Sequence, residues 1–512
     1  MKATVEQQRC LEAFNEGGSL KIEATAGSGK TTTLRYIVHR GTFYGRALYT
    51  TFGRKNIEEA KGRFPARRID VRTNHSLAFG PCGSRWRAEG RLGARPSPGK
   101  LAMLMGWQDA TFAPYAPVRT GAYYVLATLD RFMQSSAPAI GAEHALPTVA
   151  ARTMSRASAL QLAGRVAELA RSVWERIMAR GDTMPCTHDA YLKAWALTRP
   201  QLGYAHVLLD EAQDTSELMI GLLEAQENCA LVLVGDRYQS IYGFRGAHNA
   251  MERFVTDEHA TLSQSFRFGH DIAVVANAVL SSFLQSSTRV RGLPSLQSRV
   301  GPVDKPFCVL SRTNAALFGE LVQRAVTEPT AKLAVVGGVE DLENLVRGAE
   351  SLMRGERTWV PDLAEFSHWA EVVSAVDDDG YQHLASLVEL ITAHGPASLL
   401  AILGRCRGNE ADEASCDQVF STTHKAKGRE FPTVRLCDDF HAPPPDPKER
   451  QAHWDPEEGN LLYVAVTRAQ HELDISGCFA AQLALGAYGT ENAHASGDAG
   501  FPSPSARSHA AC

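Results

Sequence analysis

Short apolar runs alternate with stretches of helical period through the first hundred residues. Leu20-Lys-Ile-Glu-Ala24 reads as a strand, Thr31–Arg40 as a helix, and Ala47-Leu-Tyr-Thr-Thr-Phe52 as the next strand. Strands separated by helices of this length form a parallel sheet with both faces covered. Between about 81 and 195 the alternation is lost. There Leu160, Leu162, Val166, Leu169, Val173, Trp174 and Ile177 keep the 3.6-residue period, which predicts a mostly helical insertion. Strand-like runs return at Val207–Asp210 and Leu231–Gly235, so residues 1–80 plus 196–260 are expected to make a first α/β domain.

A second α/β block is expected from about Thr261. Its strands would include Phe307-Cys-Val-Leu310, Lys332-Leu-Ala-Val-Val336, Gln418–Ser421 and Thr433–Leu436. Residues 261–355 plus 416–487 would form this domain, interrupted by a small helical insertion at 356–415. Consecutive prolines make Ala442-Pro-Pro-Pro-Asp-Pro447 a loop, since proline suits neither helix nor interior strand. From Tyr488 to Cys512 the chain is small, polar and rich in Gly, Ser, Pro and Ala, and disorder is expected.

At 512 residues the chain exceeds one core, and its 44% hydrophobic and 21% charged content is that of an ordinary globular protein. No bilayer-length apolar run or signal-peptide core is read, so a cytoplasmic protein without a membrane role is expected. The ten cysteines show no CxxC pair or zinc spacing and read as reduced thiols. Lysine supplies only 12 of the 53 basic residues, a bias that suggests a bacterial or phage source. The net charge of −4 hides an uneven distribution: Arg35 to Lys100 holds 15 basic residues against four acids, a net of +11. Such clustering suits a phosphate-backbone partner, although a solvated face without a partner would look the same.

Ala24-Thr25-Ala26-Gly27-Ser28-Gly29-Lys30-Thr31 fits the P-loop pattern with Ala24 in place of the first Gly. Gly27 and Gly29 let backbone N–H groups turn toward phosphate oxygens, Lys30 reaches the β- and γ-phosphates, and the Thr31 hydroxyl ligates Mg²⁺. Thr32 continues the helix whose N-terminus faces the anion. The strand Val207-Leu-Leu-Asp210 then delivers Asp210 and Glu211 to a sheet edge, where one carboxylate can hold the Mg²⁺ shell and the other polarise a water. Gln213 and Asp214 complete an Asp-Glu-Ala-Gln-Asp run that points to motors on nucleic acid.

An ordered series of further motifs resembles superfamily 1 helicases of the UvrD/Rep type, from about Gln7 to Leu473. The resemblance implies two RecA-like P-loop domains with parallel sheets, ATP between them, and Mg²⁺ on Thr31 and Asp210. Gln8 stands where the family reads adenine; Phe266, in Gln264-Ser-Phe-Arg-Phe-Gly269, would stack on it. Gln239 would sense the γ-phosphate, Arg267 and Arg468 would neutralise its charge, and Glu430 would meet the nucleotide. DNA contacts would come from Phe52, His75, Tyr242, Phe244, Arg245, Thr423 and His424. Those aromatics could equally be core residues, and the histidines structural.

Arg429 departs from the usual Leu, and Gly53-Arg54 from the usual Thr-Asn. Tyr191-Leu-Lys-Ala-Trp195 and Thr433–Phe440 look like the branch of F-box DNA helicases, although motif one begins almost at Met1, so neither an F-box nor a ubiquitin-ligase role is expected. The family implies a monomer moving 3′→5′ on single-stranded and tailed duplex DNA in repair or recombination. The branch adds stripping of recombinase filaments as an alternative, and nothing in the residues distinguishes DNA from RNA.

Overall fold

A computed structural model describes the chain except residues 1–2, 52–53, 66, 151–154, 244–248, 305–306, 359, 361, 365, 377–383, 409–412 and 497–512. It divides into two compact units, Met1–Ala24 with Gly29–Leu262, and Thr25–Ser28 with Ser263–Cys512.

The first unit is built on a six-stranded parallel sheet. Its strands are β1 (Leu20–Ala24), β2 (Ala47–Thr51), β3 (Ile69–Val71), β4 (His206–Asp210), β5 (Ala230–Gly235) and β6 (Glu258–Leu262), in the order β3-β2-β4-β5-β1-β6. Successive side chains on a strand face opposite ways, and the two faces enter different cores. Val207, Leu209, Leu231 and Leu233 pack with the helices between β3 and β4. Tyr49, Leu208, Val232 and Val234 pack with Leu34, Ile37 and Val38 of the helix Lys30–Arg40. This two-sided burial explains why the central strands read as continuous apolar runs.

The helices between β3 and β4 start at Asn74 and continue through the long helices Val118–Gln134 and Arg156–Met178 to His188–Ala196. Gly121 marks a tight approach there: a Cβ would lie 2.2 Å from the Phe112 ring. β6 pairs with β1 from Leu20↔Glu258 to Ala24↔Leu262, so the first sheet extends past residue 260. Alternating polar residues kept this edge strand from standing out in the sequence.

The second unit has strands β7 (Arg299–Val300), β8 (Cys308–Ser311), β9 (Leu333–Val335), β10 (Gln418–Thr422), β11 (Phe431–Leu436) and β12 (Ala469–Asp474), all parallel, in the order β7-β12-β11-β8-β10-β9. One core joins Val309, Phe420 and Val335 to helices Asn314–Thr327, Glu340–Met353 and Ala385–Leu403. The last of these passes a length-and-apolarity test for a membrane span, which corrects the reading that no apolar run was long enough. Gly395 breaks it at φ 71° beside Pro396, and Leu387, Ile391, Leu399 and Leu403 are buried in the core of the unit. The C-terminal helix runs from Phe479 to Ser496, beyond Tyr488, where composition alone predicted that order would end.

Candidate active site

The P-loop leaves β1 and enters the helix Lys30–Arg40. Gly27 and Gly29 have φ of 72° and 78°, conformations that cost an L side chain about 1–2 kcal/mol and glycine almost nothing. Lys30 and Thr31 open the helix and Thr32 is exposed on it.

Asp210 ends β4 with no exposed surface. Its Oδ2 accepts from the Thr31 hydroxyl at 2.7 Å and from the Tyr49 hydroxyl at 2.7 Å, and its Oδ1 from the Glu211 N–H at 3.0 Å. Burial, then the Glu211 charge, push its carboxyl above the usual range, against the two hydroxyls and Lys30. Glu211 follows in the left-handed region at φ 53°, a strain of about 1–3 kcal/mol for a non-glycine residue. Its carboxylate lies 3.4 Å from Lys30 Nζ and accepts from Gln213 Nε2 at 2.7 Å.

Gln213, fully buried, passes the arrangement on: its Oε1 accepts the Asp236 N–H at 3.0 Å, and Asp236 Oδ2 accepts from Gln239 Nε2 at 2.8 Å. Burial pushes Asp236 up as well, while Lys30 and Gln239 oppose it. One polar chain therefore links Lys30, Glu211, Gln213, Asp236 and Gln239 at the carboxyl ends of β1, β4 and β5. A buried carboxylate beside a hydroxyl, short of positive charge, is a set of hard oxygen donors that fits Mg²⁺.

Of the two adjacent glutamines near the N-terminus, Gln8 is exposed and Gln7 is the one turned inward. Gln7 completes a capping box with Thr4 and donates to Thr33 Oγ1 at 3.2 Å. The choice of Gln8 is thus corrected: one step along a helix rotates a side chain by 100°, and the Thr-x-x-Gln pattern that places Gln7 at the third helical position was the overlooked signal. Tyr49 and Asp236 were also missed. Tyr49 was legible only as a strand aromatic.

In the second unit Arg267 lies 2.7 Å from Glu430, a charge contact outside hydrogen-bond geometry, and donates to the Thr467 carbonyl at 2.8 Å. Burial raises the Glu430 carboxyl, but Arg267, Gln470 and Arg468 together outweigh it and the group ends below its usual range. Arg468 is 1% exposed and donates to the carbonyls of Val464 and Arg429 at 3.0 and 3.1 Å. Phe266 is 44% exposed, as a stacking ring needs to be. Arg429, the departure from the family pattern, forms an ion pair with the buried Glu413.

Among the expected DNA contacts, His75 is partly exposed and pairs with Asp189 at 2.9 Å, and Tyr242 and His424 are partly exposed. Thr423 is fully buried and donates to the Ser311 carbonyl at 3.1 Å, so its hydroxyl secures a strand end and does not face solvent. That corrects its assignment as a DNA contact. Phe52, Phe244 and Arg245 lie outside the described residues.

Two parallel sheets, a phosphate loop and strand-end carboxylates define the class of P-loop proteins. Residues 153–258 match the UvrD/REP helicase N-terminal domain, and residues 339–479 match the UvrD-like helicase C-terminal domain. The chain is 31% identical to F-box DNA helicase 1 of Gallus gallus over 95% of this chain and 50% of that protein. It is 28% identical to F-box DNA helicase protein 1 of Schizosaccharomyces pombe over 92% and 57%, and 28% identical to ATP-dependent DNA helicase PcrA of Leuconostoc citreum over 52% and 37%. The chain belongs to the UvrD-like helicases. It spans about half the length of the F-box relatives it matches. Those near-full-length matches are animal and fungal and give no support to a bacterial or phage source.

Proposed function

We propose that this chain is an ATP-driven motor that moves along single-stranded DNA and separates tailed duplexes in the 3′→5′ direction, in repair or recombination. The observation that carries the reading is the polar chain from Lys30 through Glu211 and Gln213 to Asp236 and Gln239. It ties the groups suited to ATP splitting to the segment that continues into the DNA-facing motif. The UvrD-like domains support DNA as the track, because the relatives are named DNA helicases.

In this reading Lys30 and the P-loop N–H groups of residues 24–32 hold the phosphates, and Thr31 and Asp210 hold Mg²⁺. When bound, Mg²⁺ supplies charge neutralisation on the phosphate oxygens. Glu211 orients and deprotonates the attacking water, its carboxylate aimed by Gln213. Gln239 reports the γ-phosphate, Arg267 and Arg468 neutralise developing charge, Phe266 stacks on adenine and Glu430 meets the nucleotide. His75, Tyr242 and His424 meet DNA, together with Phe52, Phe244 and Arg245.

ATP hydrolysis should rise at least tenfold on adding single-stranded DNA, and 3′-tailed duplexes should be opened while 5′-tailed ones are not. Hydrolysis indifferent to DNA would sink the motor reading. A protein-stripping translocase would instead clear recombinase filaments at ATP turnover that leaves duplexes closed, and an RNA-directed enzyme would be stimulated by RNA above DNA.

A further inference from the structure

We infer that Tyr49 is a positioning residue for Asp210, its hydroxyl holding the carboxylate in the orientation that receives the divalent cation of a bound metal–nucleotide. The inference rests on the reading that Thr31 and Asp210 serve the metal.

The geometry starts from strand register. β2 and β4 pair in parallel, with Tyr49 opposite Leu208 and Thr51 opposite Asp210. Side chains two residues apart share a face, so Tyr49 and Asp210 lie on the same face as diagonal neighbours. Diagonal neighbours are about 7–8 Å apart, a gap that an aromatic side chain can span. Tyr49 spans it: its hydroxyl donates to Asp210 Oδ2 at 2.7 Å. The ring has no exposed surface and packs on Phe64 with ring centroids 4.7 Å apart. The hydroxyl therefore has almost no freedom of its own, and the sheet itself fixes it.

Thr31 donates to the same Oδ2 at 2.7 Å, and the Glu211 N–H occupies Oδ1 at 3.0 Å. These three donors fix both carboxylate oxygens. Thr31 is the one of them expected to turn its oxygen to the cation, and Glu211 sits in a strained backbone conformation. Tyr49 is the donor whose position does not depend on ligand or strain. It keeps Asp210 in a single rotamer before metal arrives, so less ordering remains to be done on binding.

Tyr49→Phe keeps the ring and removes the hydroxyl. Binding of Mn²⁺ with a non-hydrolysable ATP analogue, followed by Mn²⁺ paramagnetic resonance, should weaken about tenfold, the effect of losing one charge-assisted hydrogen bond. The Mg²⁺ concentration for half-maximal ATP hydrolysis should rise by a similar factor, with single-stranded DNA affinity unchanged. Phe64→Leu trims a side chain the ring packs on but keeps the hydroxyl, and should move the metal titration less than Tyr49→Phe does; an equal or larger shift would assign the effect to ring packing and overturn the inference.

Metal–nucleotide binding by folded Tyr49→Phe equal to the parent overturns the inference. Absence of Mn²⁺–nucleotide binding in the parent overturns instead the reading of Thr31 and Asp210. If Tyr49→Phe alone does not fold, Tyr49→Phe combined with Asp210→Asn decides. Recovery of the fold shows that the hydroxyl serves the buried Asp210 charge; equal unfolding shows that the hydroxyl is needed for something other than Asp210, and the inference falls.

Discussion

Gln213→Leu tests the polar chain at its most enclosed point. Leu is close to Gln in volume, so little cavity forms, but two polar roles disappear. The Asp236 N–H loses the acceptor it has at 3.0 Å, and an orphaned buried donor costs about 1–3 kcal/mol. Glu211 loses the 2.7 Å bond from Nε2. Glu211 keeps Lys30 and its side chain is 26% exposed, so that loss is discounted for solvent to about 1 kcal/mol.

The sum of about 2–4 kcal/mol should lower the melting temperature of the first unit by roughly 4–16 °C. The larger effect falls on turnover. Without Gln213, Glu211 is free to leave its aimed position, and a shift of about 1 Å can cost on the order of 100-fold. The expected result in a steady-state ATPase assay with saturating single-stranded DNA is a kcat about 100-fold down and a KM within about threefold. A folded variant with kcat within twofold of the parent would refute the reasoning. Gln213→Glu sharpens the test, because it preserves the acceptor for Asp236 but sets a second carboxylate against Glu211. Its activity should recover as pH falls, since the protonated side chain donates again.

Arg429→Leu, which restores the residue common in the family, strands the Glu413 carboxylate at 4% exposure. Denaturant unfolding of the second unit should show a loss of about 3–5 kcal/mol, largely recovered by adding Glu413→Leu. Thr423→Val should cost about 1 kcal/mol in stability and leave single-stranded DNA affinity within twofold; a larger loss of affinity would restore Thr423 as a DNA contact. Lys193 is fully buried, donates to the carbonyls of Ser135 and Ala137 at 2.7 Å, and burial pushes it down to about 8. The unfolded chain, with a lysine pKa of about 10.4, then binds more protons between pH 8 and 10.4, so this group's penalty on stability shrinks as pH rises through that window. Urea midpoints at pH 7.5, 9 and 10 should climb less in Lys193→Met than in the parent.

The sequence by itself determined the chemistry-bearing motifs and the parallel α/β class, because both are local. A P-loop needs its glycines and Lys-Thr within eight residues, and a strand buried on both faces needs an unbroken apolar run, as in Val207-Leu-Leu. Weakly patterned elements escaped: β6 alternates like a solvated edge, and β3 and β7 are only three and two residues long.

What only the tertiary structure decided was which side chains face one another across elements far apart in the chain. The register of β2 on β4 brings Tyr49 to Asp210 over 161 residues. The rotation of one helical step selects Gln7 over Gln8. Burial turns Thr423 from a DNA contact into a strand anchor and gives Arg429 its partner in Glu413. Motifs record which groups the chemistry requires; the direction of each group depends on strand register and helix phase, which arise only when distant segments pack.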